Sequence, residues 1–195
     1  MKKHILSGLA ALGMLAFSTS AAAAEGVHTV KEGESLWEIG KENSVSVLEL
    51  MKANGLKTHD IHTGQAISLP ESDITEEEKE LLAKLVHAEA EGESYAGKVA
   101  VATVVLNRVD SNEFPDSIKD VVYEVASGHY AFSPVQNGEI NNEPSEESRT
   151  AVDEALAFRG QGKGSLFFYN PDTSSSSWIT TTNMTLTIGN HVFAK

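Results

Sequence analysis

The chain has 195 residues, 41% of them hydrophobic, a formal charge of −13 and no cysteine. That length and apolar share suit one ordinary domain with a small companion and exclude disorder throughout. The acidic excess makes nucleic acid a poor partner, and the lack of cysteine excludes both a disulfide framework and thiolate chemistry.

The first stretch, "MKKHILSGLAALGMLAFSTSAAAAEG", sets Lys2 and Lys3 before an apolar run over residues 5–17 and then a series of small residues. This is the layout of a secretory signal peptide over residues 1–24, cleaved after Ala24; the apolar run is too short to cross a bilayer comfortably as an anchor. Cleavage removes two lysines and no acid, which takes the formal charge to −15. The mature protein is therefore expected outside the cell.

Residues 27–70 read as a first folded unit. Thr29 and Val30 suggest a short strand, Ser35 caps a helix carrying Leu36, Trp37 and Ile39, and Ser46 caps a second with Val47, Leu48, Leu50 and Met51. "HTGQAISLP" returns as a strand that Pro70 closes. A strand, two helices and a strand in some forty residues make a small core, better suited to binding than to building a catalytic cleft. His28-Thr29-Val30, Gly33-Glu34-Ser35-Leu36, Ile39, Leu50, Asn54, Ile61, Gly64-Gln65 and Ile67-Ser68-Leu69-Pro70 together resemble a LysM module, the peptidoglycan- and chitin-binding repeat. Glu34-Ser35 departs from the more frequent Asp-Thr but keeps an acid and a hydroxyl. The resemblance implies a sugar site between two loops, one with Gly33, Glu34, Ser35 and Leu36, the other running from Asn54 to Ile61. On the residues alone, Gly33 and Asn54 are equally turn formers.

A short acidic linker, residues 71–77, leads to Thr75 and Glu78, a capping box that starts a helix. "SYAGKVAVATVVLNRV" is apolar nearly all round, and its length and Ser94 cap predict a central helix despite its β-branched content. Residues 117–126 and 145–158 read as two further amphipathic helices, the second ended by Gly160. In "TLTIGNHVF", Gly189-Asn190 sits between alternating residues as a hairpin turn.

The chemistry centres on "LLAKLVHAEAEGE". At about 100° per residue Leu81, Leu82, Leu85 and Val86 share a helix face, and Glu89 projects into that arc whereas Glu91 points away. Acids at a helix C-terminus oppose the macrodipole, so Glu89 needs a reason to be there. A carboxyl on an apolar face is pushed towards its protonated form, which suits a general acid for glycosidic cleavage; the alternatives are a backbone hydrogen bond or a pair with Arg108. Glu93, just past Gly92, is either a second carboxylate of the same cleft or a loop residue that holds the turn. His87 and Glu91 have a spacing seen in metal sites but lack further ligands, so no metal and no cofactor is expected. "GQGKGS" lacks a nucleotide fingerprint and reads as a connection, and no GxSxG elbow supports a serine hydrolase. Trp178 is a core anchor or a sugar-stacking ring.

"LLAKLVHAEAEGESYAGKVAVATVVLNRV", "FSPVQNGEI", "SLFFYNPDTSSSSW" and "IGNHVF" follow the order and spacing of the SleB/CwlJ-type cell-wall hydrolases, the spore-cortex-lytic enzyme family, which residues 78–195 resemble. Glu91 stands where an arginine is common. The resemblance implies an α+β protein: a small βααβ LysM domain plus a lysozyme-like, mainly α-helical catalytic domain with a small β element. It makes Glu89 the catalytic acid and suggests that Phe132, Tyr169, Asn170, Trp178 and His191 line the cleft. The implied protein is a secreted, wall-associated monomer that cuts peptidoglycan between N-acetylmuramic acid and N-acetylglucosamine as a lytic transglycosylase. The rivals are a water-using muramidase with Glu93 as second carboxylate and a non-catalytic LysM wall-binding protein.

Overall fold

The computed structural model describes residues 24–126, 128–174 and 179–195. Apart from Ala24, the expected signal peptide lies outside the described residues, as does Trp178. In the first unit, β1 (Ala24–Thr29) pairs antiparallel with β2 (Ala66–Pro70), Thr29 opposite Ala66 and Gly26 opposite Leu69. The first strand thus ends where it was expected to begin, and Val30, just beyond it, is buried while its N donates to Gln65 O at 2.9 Å and its O accepts from Gly64 N at 2.8 Å. Between the strands lie α1 (Leu36–Asn43) and α2 (Val47–Ala53). Both predicted caps form: Ser35 Oγ accepts from Glu38 N at 3.2 Å and Ser46 Oγ from Glu49 N at 3.1 Å, and each glutamate answers its cap. Val30, Leu36, Ile39, Val45, Val47, Leu50 and Ile67 are the buried core of this βααβ unit.

Three capped helices build the second unit: α3 (Glu76–Glu89), α4 (Tyr95–Val109), which is indeed a helix, and, further along the chain, α7 (Glu146–Phe158). They pack on one another around Leu82, Leu85, Val86, Val101, Val105, Leu106, Val152 and Leu156. The helix expected over residues 117–126 is shorter. It is α5 (Ile118–Val122), after which Val125–Ala126 (β3) pairs with His129–Tyr130 (β4) and Ala131 N donates to Glu124 O at 2.9 Å. Val121, Val122 and Val125 lower helix propensity, and the hairpin offers the backbone other partners. After α6 (Ser133–Asn137) and α7, strands β5 (Phe167–Tyr169), β6 (Met184–Ile188) and β7 (His191–Ala194) form a sheet in the order β5-β7-β6, with Gly189-Asn190 as the predicted turn.

The first unit is docked on the second. Residue 40 on α1 lies against α7, where a Cβ would stand 3.4 Å from that of Ala157. Trp37 meets Phe158 edge-on with ring centroids 6.1 Å apart, and Ser72 Oγ donates to Ser44 O at 2.9 Å. Arg159, which follows α7, binds Asp73 of the linker at 2.8 Å and Asp110 beyond α4 at 2.7 Å. Residues 71–77 are therefore held down, not free. Arg159→Ala should cost about 1–2 kcal/mol, since both carboxylates are substantially exposed, and should speed proteolysis within residues 71–77. Thermal unfolding and limited proteolysis read the two effects; unchanged values in both would show that Arg159 does not secure the junction.

Candidate active site

Glu89 is the last residue of α3 and follows Leu85 and Val86 by four and three positions, so it shares their core-facing side. It is part-buried, and no described residue gives its carboxylate a hydrogen bond or an ion pair. Burial foremost, and Glu139 in second place, push its pKa up to about 7, while Arg108 pulls the other way. Neither structural alternative holds among the described residues: Arg108 acts on Glu89 through the field, not by contact.

Arg108, on α4, is 8% exposed, and its Nε donates to Leu166 O at 2.8 Å. The guanidinium carbon lies 4.9, 5.0 and 5.7 Å from the ring centres of Phe114, Phe132 and Phe167. Three π faces and a carbonyl thus replace the water that this cation gave up. Phe132, expected to line the cleft, is 2% exposed; it belongs to this cage instead and stacks on Phe168 at 6.4 Å.

Glu93, with 9% of its side chain exposed, accepts from Asn190 N at 3.3 Å, and its other oxygen lies 3.7 Å from His191 Nδ1. Gly189 has φ +55°, which strains other residues, and a Cβ there would displace the Glu93 carboxylate from its present position. Glu93 holds the β6–β7 hairpin instead of its own turn. His191 sits edge-on to Phe168, 5.4 Å between centroids, and its Nδ1 has no hydrogen bond among the described residues. Tyr169 lies opposite Val192, next to His191, and the Asn170 side chain accepts from Asp172 N at 2.9 Å, starting the following turn. These three lie at one end of the sheet. Glu139 and the roles of Phe114 and Phe167 were missed by sequence reasoning. Glu139 is an exposed residue fifty positions from Glu89, and nothing local marks it. No group of three metal-ligating side chains occurs among the described residues.

In the first unit, Gly33 takes φ +78° at the loop. Glu34 binds His28 Nε2 at 2.7 Å and Lys31 N at 2.8 Å, and these bonds hold its carboxyl below the usual range. Asn54 donates to Leu50 O and Ser68 O and accepts from Ser68 N, all within 2.9 Å. The Leu36 side chain is 2% exposed, and Ile61 packs on the core beside it. Glu34, Asn54, Leu36 and Ile61 therefore shape the two loops, while Ser35 is exposed between them.

Residues 92–194, more than half of the chain, match the cell wall hydrolase family, and residues 28–70 match the LysM domain. The chain belongs to the cell wall hydrolase family. More particularly, it is similar to the catalytic domain of the germination-specific lytic transglycosylase SleB from Bacillus anthracis, with 36% identity and a TM-score of 0.58 over 63% of this chain and 98% of that one. The SleB catalytic domain of Bacillus cereus gives 38% identity and 0.56 over 62% and 91%. A spore cortex-lytic enzyme of Oceanobacillus iheyensis is 38% identical over 130 residues, 67% of this chain and 45% of that protein. One from Halalkalibacterium halodurans is 41% identical over 58% of this chain and 33% of its own length. The chain spans less than half the length of these curated relatives. The family match begins three residues after Glu89, whose role accordingly rests on its surroundings.

Between about pH 4.5 and 7 the folded chain holds a proton on Glu89 that the unfolded chain has released, so this group lowers stability as pH rises through that window. Glu89→Gln removes the dependence. The variant should match the wild type near pH 4 and exceed it by about 2–3 kcal/mol at pH 8, measured by urea unfolding. Parallel pH profiles for the two proteins would mean that Glu89 is solvated.

Proposed function

We propose that this protein is an exported peptidoglycan-cleaving enzyme that works as a lytic transglycosylase, with Glu89 as its catalytic acid and base. The observation that carries the reading is a part-buried carboxyl, free of partners among the described residues, with a pKa of about 7. Near neutral pH such a group is populated in both forms, as a residue that first gives and then takes a proton must be. Protonated Glu89 delivers its proton to the glycosidic oxygen as the bond from that oxygen to muramic C1 breaks. The carboxylate left behind then takes the proton of the muramic 6-hydroxyl as its oxygen bonds to C1. One bond breaks, one forms, no water enters, and Glu89 ends protonated as it began. Arg108 favours the carboxylate form between the two steps, and burial favours the acid before them.

Glu93 supports this reading over a two-carboxylate hydrolase, because its oxygens face Asn190 and His191. The tethered 6-hydroxyl also has the advantage of intramolecular attack over water without a dedicated base. Tyr169, Asn170 and His191 form the sheet-side wall of the cleft in this reading, and the LysM unit holds the glycan strand. The relatives named for spore cortex and germination suggest cortex-type peptidoglycan as the substrate.

Mass spectrometry of the soluble products from purified peptidoglycan tests the mechanism. The released ends should be 1,6-anhydro-muramic acid, lighter than hydrolysed ends by one water. Glu89→Gln should abolish release, a loss of at least about 100-fold. Glu93→Gln should slow it while leaving the anhydro product unchanged. Reducing ends as the main product, together with complete inactivation by Glu93→Gln, would replace this mechanism by a two-carboxylate hydrolysis.

A further inference from the structure

The "GQGKGS" stretch, read from sequence as a mere connection, runs along the junction between the two units. Gln161 stands between Gly160 and Gly162, both with positive φ, and its own backbone N donates to Phe158 O at 3.0 Å. This places Gln161 at a cavity of about 130 Å3 whose other walls are Ser35, Leu36, Trp37, Val47 and His59. Those five residues belong to the LysM unit, and Ser35, Leu36 and His59 come from the two loops between which a glycan was expected. The cavity therefore has one wall from the catalytic domain. The Gln161 Nε2 atom is buried and has no hydrogen-bond partner among the described residues, although an amide nitrogen carries two donors. A buried donor left unpaired is costly, and a ligand that accepts from it relieves that cost.

We propose that Gln161 of the catalytic domain completes the LysM glycan groove, donating its side-chain amide to the acetamido carbonyl of an N-acetylhexosamine bound at the domain junction. The chemistry of the walls selects that group. Sugar hydroxyls carry no methyl, whereas an acetamido group joins a strong carbonyl acceptor to a methyl, matching one unpaired donor beside Leu36, Val47 and the Trp37 ring. The docking described above keeps the composite wall in place: Trp37 packs on Phe158, three residues before Gln161, and Arg159 anchors the intervening turn to Asp73 and Asp110. The proposal rests on the reading of the LysM unit as a glycan binder and adds to it a contact that an isolated LysM module would lack.

The test uses the full chain carrying Glu89→Gln, titrated with the tetramer of β-1,4-linked N-acetylglucosamine and followed by calorimetry and by NMR of backbone and side-chain amides. The Gln161 side-chain resonances should shift together with those of Ser35 and His59. Gln161→Leu, which keeps the bulk and removes the donor, should weaken binding about fivefold to tenfold. Circular dichroism confirms that this variant is folded. Shifts at Ser35 and His59 without a shift at Gln161, or equal affinity in Gln161→Leu, overturn the composite site and leave the LysM reading standing. Absence of shifts at every LysM residue overturns both.

Discussion

A guanidinium buried to 8% exposure must find substitutes for water, and Arg108 finds them in three phenyl rings and the Leu166 carbonyl. These groups come from different parts of the chain: Phe114 from the segment after α4, Phe132 from the residue before α6, Leu166 from just before β5 and Phe167 from its first position. Satisfying one cation thus ties the helical layer to the sheet. Removing any one of the partners would leave a buried charge under-compensated, which is the expensive case. The same cation reaches Glu89 only through the field, so it tempers the effect of burial without neutralising the acid.

Around this centre the acids divide their tasks by environment. Glu89, part-buried and without a partner among the described residues, has its pKa raised towards neutrality. Glu93, four residues on, meets a backbone N–H and a histidine and fastens the hairpin that carries His191 at one end of the sheet. Glu34 in the LysM loop binds His28 and Lys31 N and is held in its ionised form. Three carboxylates therefore take three roles, and the donors within reach of each differ.

This division explains what the sequence could and could not disclose. Local signals were legible: the Ser35, Ser46, Thr75 and Ser94 caps, the Gly189-Asn190 turn and the apolar face that carries Glu89 all depend on neighbours a few residues apart. The hairpin at Val125 was not legible, because helical periodicity over residues 117–126 competes with strand pairing that only the fold supplies. Nor were the cage of Phe114, Phe132 and Phe167 or the effect of Glu139, since those pairings span tens of residues and carry no period. Phe132 shows the limit most clearly. Its aromatic character suggested contact with sugar, and its 2% exposure assigns it to Arg108 instead.

The held linker changes how a binding module can serve its enzyme. A module on a flexible tether raises the local concentration of substrate throughout a volume set by tether length, and it lets the enzyme sample many bonds around one anchorage. With Trp37 packed on Phe158 and Arg159 gripping Asp73, that freedom is absent, and the groove stands at a set offset from Glu89. In the proposed function such an arrangement would act as a gauge along the glycan strand: each anchorage would present only bonds at one spacing to the acid, so the lengths of released fragments would become a record of the docked geometry.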